Sequence, residues 1–246
     1  MRFSSLTPTL PEPTEALNHI EQEYKYLFVM MGLPLVDGVF LSIVLSGGLS
    51  SAFDAIMVGS FILGGGATVG VILSEFTDNS IEAIKKTFLI SVVVGVIAVL
   101  QASFASMVEP MIDTQTFKYG AVLALISLSL RIIPYDRTDD VVSPTAVILI
   151  ALVLSVDPSG LSAVESFNYS LSNGLYALLS VFVSFVISSV AILVRPILTD
   201  RVSSRSLKYA TAIGLFAVTL SIIGIVPSLT APIAFSFTAV LSHFSM

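Results

Sequence analysis

The chain has 246 residues, 55% of them hydrophobic and 11% charged, with a mean hydropathy of +0.96 and a formal net charge of −6. Soluble domains carry about 25% charged residues, so this chain has too few polar groups to cover a water-facing surface, and lipid is the expected solvent for most of it. The acidic balance excludes the basic footprint of nucleic-acid binding, and the absence of cysteine excludes disulfides and thiolate metal sites.

Residues 1–25 are polar and acidic, without the basic start and short apolar core of a signal peptide. "TPTLPEP" reads as extended chain, and "TEALNHIEQEYKY" as a short amphipathic helix with Leu17 and Ile20 one turn apart. This segment is expected to be a cytoplasmic tail near the membrane. Residues 26–246 then form a single transmembrane helical domain. Eight apolar segments of roughly bilayer-spanning length follow, at 26–47, 52–74, 87–108, 117–134, 141–156, 173–194, 208–226 and 229–244. The fifth and eighth are short and begin near Pro144 and Pro232. The absence of period-two alternation argues against a β-barrel.

Charge supports the count of eight. Numbered this way, the segments put Arg2, Lys25, Lys85, Lys86, Arg131, Arg137, Arg195, Arg201, Arg205 and Lys208 on one side and only Lys118 on the other. Under the positive-inside rule the first side is cytoplasmic, as are both termini. The expectation is an all-α, polytopic bundle in the plasma membrane, with the lipid bilayer as its main partner.

The halves resemble each other. "PLVDGVFLSIVLSGGLS" from Pro34 aligns with "PTAVILIALVLSVDPSGLS" from Pro144, and "TDNSIEAIKK" from Thr77 with "TDRVSSRSLK" from Thr199. Four segments separate the partners, which would give two parallel four-helix repeats, 26–135 and 141–246. Val147 stands where the first copy has Asp37.

Asp37 is about the twelfth residue of the first span, about 17 Å along its axis and near the expected midplane. An aspartate there costs about 2.5–3.5 kcal/mol to insert. It is therefore either a proton or cation site on a transport path or a group bonding a neighbouring helix. Pro34 and Gly38 predict a kink beside it, with a freed carbonyl as a cation ligand or with no role beyond the bend. Gly64, Gly65 and Gly66 sit mid-span. They allow close helix packing, or local unwinding against a ligand. Gly59, Gly66 and Gly70 on the second span and Gly38, Ser42 and Ser46 on the first are expected to meet as two thin faces. Gln101 is the other long polar side chain well inside a span, placed to bond Asp37, to line a path or to hold helices together. Ser180, Ser184 and Ser188, four residues apart, read as packing. Arg131 is expected to snorkel to the interface.

Patterns for enzymes are missing from the sequence. There is no second deep aspartate, no Ser/His pair at membrane depth and no H-E-x-x-H. His19 and His243, both near the ends, offer no metal centre. No enzyme, cofactor or metal is implied.

"LPLVDGVFLSIVLSGGL", followed by "GSFILGGGATVGVILSEF", resembles the opening of a family of multi-pass membrane proteins from halophilic archaea that is known only as a domain of unknown function. "SVDPSGL" is also similar. The resemblance implies an archaeal plasma membrane, which the sequence pI of about 4.8 suits, and it implies no activity. The expected function is transport of a small solute or ion, with Asp37, Pro34, Gly38, Gly64, Gly65, Gly66, Gln101 and Pro144 along the pathway. The alternative is a membrane scaffold or partner subunit in which Asp37 and the glycines serve only packing.

Overall fold

The computed structural model describes residues 25, 27–29, 31–65, 68–69, 72, 80–132, 142–158, 171–198 and 204–225. In chain order the helices are α1 (Leu27–Val36), α2 (Val39–Leu45), α3 (Ala52–Val58), α4 (Ser80–Val108), α5 (Thr114–Ile132), α6 (Pro144–Leu154), α7 (Leu171–Leu198) and α8 (Ser204–Ile222). A π turn, Gly59–Leu63, prolongs α3, and a 3-10 turn, Glu109–Met111, follows α4. There is no strand among the described residues. An isolated antiparallel bridge joins Ile112 to Val156.

Local chemistry sets the helix ends. Ser51 caps α3 by accepting the Asp54 N–H at 3.2 Å. Asp113 caps α5, accepting the N–H groups of Gln115 at 3.1 Å and Thr116 at 3.4 Å and the Thr116 hydroxyl. Pro144 occupies the first turn of α6, where its missing N–H costs nothing. Gly47 and Gly224, at φ 75° and 76°, end α2 and α8. At the first, Gly48 N–H reaches the Ile43 carbonyl and Gly47 N–H the Val44 carbonyl; at the second, Ile225 and Gly224 repeat the pattern on Leu220 and Ser221. These paired bonds satisfy carbonyls that the helix leaves open.

Several helices run antiparallel to one another. Asp113 N–H bonds the Ser155 carbonyl at 2.7 Å, which places the start of α5 beside the end of α6. Asn173 of α7 reaches Ser106 of α4, and Phe185 stacks edge-on against Phe88 at 5.6 Å, so α7 runs antiparallel to α4. The Ser46–Asp54 turn, Lys118 and the Ser221–Ile222 end of α8 line one cavity. These contacts define a Lys118 end of the bundle. Lys85, Lys86, Arg131 and Arg195 lie toward the opposite end.

The long helices are inside-out relative to a soluble bundle. The inner face of α4 carries mostly small residues, Ala83, Thr87, Ser91, Gly95, Ala98, Ala102 and Ala105, with Lys86, Ile90 and Val94 among them, and that of α7 carries Ala177, Ser180, Ser184, Ser188 and Ala191 with Val181 and Ile192. Their outer faces carry Phe88, Leu89, Val92, Val96, Leu100 and Phe104, and Leu175, Leu178, Phe182, Val186, Val190 and Leu193, all exposed. Small residues inside let backbones approach, and large apolar residues outside suit an apolar solvent.

The expected eight spans are cut down. Among the described residues two helical segments, Ser80–Met111 and Leu171–Pro196, are long and apolar enough to cross a membrane, and a third counts if α1 and α2 are one bent span. Three further segments, Ala52–Leu63, Pro144–Leu154 and Tyr209–Ile222, are apolar but short. The reason is local. The second segment breaks at Gly64, and the fifth is confined between Pro144 and the Ser155 turn. The segment 229–244 and most of residues 1–25 lie outside the described residues, so the tail and the eighth span have no counterpart to compare. The repeat is not established either: Pro34 lies inside α1, whereas Pro144 begins α6.

Candidate functional site

The first break in the bundle falls at Asp37–Gly38, where α1 and α2 meet at 42°. Gly38 stands at φ 75°, which a residue with a Cβ adopts only with strain. It ends α1 and begins α2 at once. Asp37 N–H makes the last i−4 bond, to Leu33 at 2.8 Å; Gly38 N–H turns back to Leu35 at 3.2 Å; and the Gly38 carbonyl accepts from Ser42 at 2.9 Å. The expected bend is present, but glycine makes it. The helix runs on through Pro34 and breaks at Gly38.

Gln101 stabilises the break from outside. Its Nε2 donates to the Leu35 carbonyl at 2.7 Å, across 66 residues of sequence. In a continuous helix that carbonyl would accept from Val39. The bond fixes the amide orientation, because the Leu35 oxygen requires a donor. It leaves Gln101 Oε1 buried with no partner. The expected Gln101–Asp37 bond is not formed. Asp37 is half-buried, and its carboxylate makes no hydrogen bond or ion pair among the described residues. Arg131 is exposed and does not pair with it.

Gln101 also fixes the depth of the break. Seven residues, about 10 Å of helix, separate it from Val108, where α4 ends. Since α4 has 29 residues, the break is about 10 Å from its centre toward the Lys118 end.

A second break follows the π turn. Gly64 N–H bonds the Gly59 carbonyl at 2.8 Å, an i−5 contact, and the Thr68 hydroxyl takes the Leu63 carbonyl at 3.0 Å. Such bulges are rare and cluster at functional sites. A Cβ on Gly64 would stand 3.0 Å from Ser184 Cα, and one on Gly65 would meet the Phe61 carbonyl oxygen at 2.5 Å and Thr211 Cγ2 at 3.2 Å. A Cβ on Gly59 would collide with the Ser180 backbone. Gly59 and Gly64 therefore serve a close approach of α3 and its π turn to α7, and Gly65 an approach to α8. Among the described residues the predicted meeting of the first and second spans through their thin faces is not seen: α2 packs on α4 and α5, while Gly59 and Gly64 face Ser180 and Ser184. Gly66 and Gly70 lie outside the described residues.

Ser184 and Ser188 of α7 differ from other helical hydroxyls. Thr87, Ser91, Ser103, Ser106, Ser129, Ser180 and Thr219 each return a hydroxyl to the carbonyl four residues earlier. Ser184 and Ser188 are fully buried beside the second break and their hydroxyls have no partner. Spacing flagged them as packing residues. Only the neighbouring helix shows that their hydroxyls are unused.

A cavity of about 80 Å³ lies between the two breaks, lined by Pro34 of α1, Phe61 and Gly65 of the π turn, Thr68, Leu128 of α5 and Thr211 of α8. It has room for two or three waters at about 30 Å³ each. Asp37 is not among its lining residues. Pro144 is buried at the start of α6, and the side chain nearest to Gly38 is Ile148, one turn further along that helix. The described residues include no cluster of metal-ligating side chains.

Residues 93–223 match the model of a family described as a family of unknown function, DUF5794. The match takes in Gln101 and Pro144 but not Asp37 or the glycine run. No curated protein and no solved structure matches the chain.

Proposed function

We propose, for a chain that belongs to this family of unknown function, a multi-pass plasma-membrane protein that moves a small solute or ion, with Asp37 as its intramembrane proton or cation site. The observation that carries the reading is the chemistry of the first break. Among the described residues it holds a carboxylate without a partner and a buried amide oxygen, Gln101 Oε1, without a partner. These are acceptors that lack donors, and a proton or a cation supplies what they lack. Discontinuous helices with such groups are the usual way a transporter presents backbone and side-chain oxygens to an ion. The exposed apolar faces of α4 and α7 support a bilayer setting. The alternation of helix direction supports several crossings, with the short helices as partial or tilted spans and the basic end cytoplasmic. Eight spans and a duplicated four-helix unit belong to the same proposal, as does a haloarchaeal source.

The test is flux in vesicles reconstituted with the full chain, using an internal pH-sensitive dye and imposed Na⁺, K⁺ and proton gradients. Wild-type protein should dissipate at least one gradient faster than empty vesicles, and Asp37→Asn should abolish that flux while the protein stays folded. Equal flux in the variant would remove Asp37 from the mechanism.

One observation favours a scaffold instead. Gly59, Gly64 and Gly65 are all explained by close packing, and Gly120 packs against Ala151 in the same way. If wild-type vesicles pass no ion and the chain purifies with a stoichiometric membrane partner, the scaffold reading stands.

A further inference from the structure

At the Lys118 end, the α2–α3 turn, the first turns of α5 and the last turn of α8 enclose a cavity of about 160 Å³. Its polar lining among the described residues is Ser46, Ser50, Asp54, Lys118 and Ser221. Lys118 and Asp54 are both half-buried, and they do not pair with each other. Lys118 has no hydrogen-bonding or ionic partner among the described residues. The Asp54 carboxylate is held by one oxygen: Oδ2 accepts the Ser50 hydroxyl at 3.0 Å and the Ser51 hydroxyl at 2.7 Å, while Oδ1 has no partner among the described residues. The capping serines thus orient the carboxylate and leave half of its acceptor capacity open.

Two opposite charges that border one cavity without neutralising each other favour a ligand that carries both. A simple anion would meet Lys118 but suffer from Asp54, and a simple cation the reverse. Partial burial strengthens both interactions relative to bulk water. The volume equals about five waters, which suits the smallest amino acids. We propose that this cavity binds a small zwitterion of the α-amino acid class, its carboxylate on Lys118 and its ammonium on Asp54 Oδ1 and the neighbouring serine hydroxyls. The site lies in neither helix break and does not depend on transport.

Calorimetric titration of the full chain in lipid nanodiscs tests this, with glycine as the probe and acetate and methylammonium as one-ended controls. Glycine should bind saturably, and each control should bind at least about tenfold more weakly, because it meets only one partner and one repelling charge. Lys118→Met and Asp54→Asn should each weaken glycine about tenfold or more, while Lys118→Arg should stay close to wild type. Lys118 makes no hydrogen bond or ion pair among the described residues, so its Met variant reports binding even if Asp54→Asn weakens the bonds from the Ser50 and Ser51 hydroxyls; Asp54→Glu then serves as the second variant. Absence of saturable glycine binding, a one-ended probe that binds as well as glycine, or an unaltered Lys118→Met titration would each overturn the proposal.

Discussion

Gly38→Ala separates a bend imposed by backbone strain from one imposed by packing. At φ 75° an L side chain costs about 1–2 kcal/mol. Space adds nothing, since the new Cβ would meet only Ile148 methyl carbons at 3.9 Å, an ordinary contact. The chain also has an escape. With αR geometry at residue 38, α1 can continue into α2, and the Leu35 carbonyl can take the Val39 N–H in place of Gln101. Rotating α2, about 10 Å long at 1.5 Å per residue, through 42° moves its tip by about 7 Å. Spin labels at Ser50 and Leu171 would register that shift, and denaturant titration in micelles would give the energy. The expected result is a loss of about 1–2 kcal/mol, a redistribution toward the straightened form, or both. Gly47→Ala is the control: it has the same φ, nothing within 4 Å of its Cβ, and no escape into a longer helix. It should show the energy without the distance change. Gln101→Met removes a bond contributing about 1 kcal/mol but also the orphaned Oε1, so alone it should be near neutral. In the Gly38→Ala background the bond is already gone where the helix has straightened, so the two changes should not add. Wild-type stability and distances in Gly38→Ala would refute strain as the origin of the bend; a loss far above 2 kcal/mol would mean a steric contact that the geometry does not contain.

Two more predictions concern the α5–α6 region. A Cβ on Gly120 would collide with Ala151, so Gly120→Ala should cost about 1–3 kcal/mol of overpacking, and the added change Ala151→Gly should recover most of it in a denaturation cycle. The Asp113 carboxyl is held below its ordinary range, first by the Thr116 hydroxyl and then by the Gln115 N–H. A depressed carboxylate contributes stability above its unfolded value of about 3.9 and loses it as the pH falls through the lower folded value. Asp113→Asn should therefore flatten the acid limb of stability below about pH 4, and an unchanged limb would show that other carboxylates dominate it.

The sequence by itself determined the class of elements. Continuous apolar runs without cysteine or alternation leave helices as the economical way to satisfy the backbone, and Pro144 marks a helix start by chemistry that acts within a few residues. It also singled out Asp37, Gly38 and Gln101 as exceptional, because polar and helix-breaking residues are costly in such a setting. What it left open was which helix each one meets. The bend was legible near Pro34 but belongs to Gly38, since a proline disturbs a helix that its neighbours can still carry, whereas a left-handed residue ends it. The Gln101–Leu35 bond, the packing of the glycines on α7 rather than α2, and the unused hydroxyls of Ser184 and Ser188 all arise between helices distant in sequence. So does the cavity that brings Asp54 and Lys118 together. Small apolar faces are interchangeable when read singly; only the tertiary packing decides which of them touch, and therefore which polar groups remain without partners.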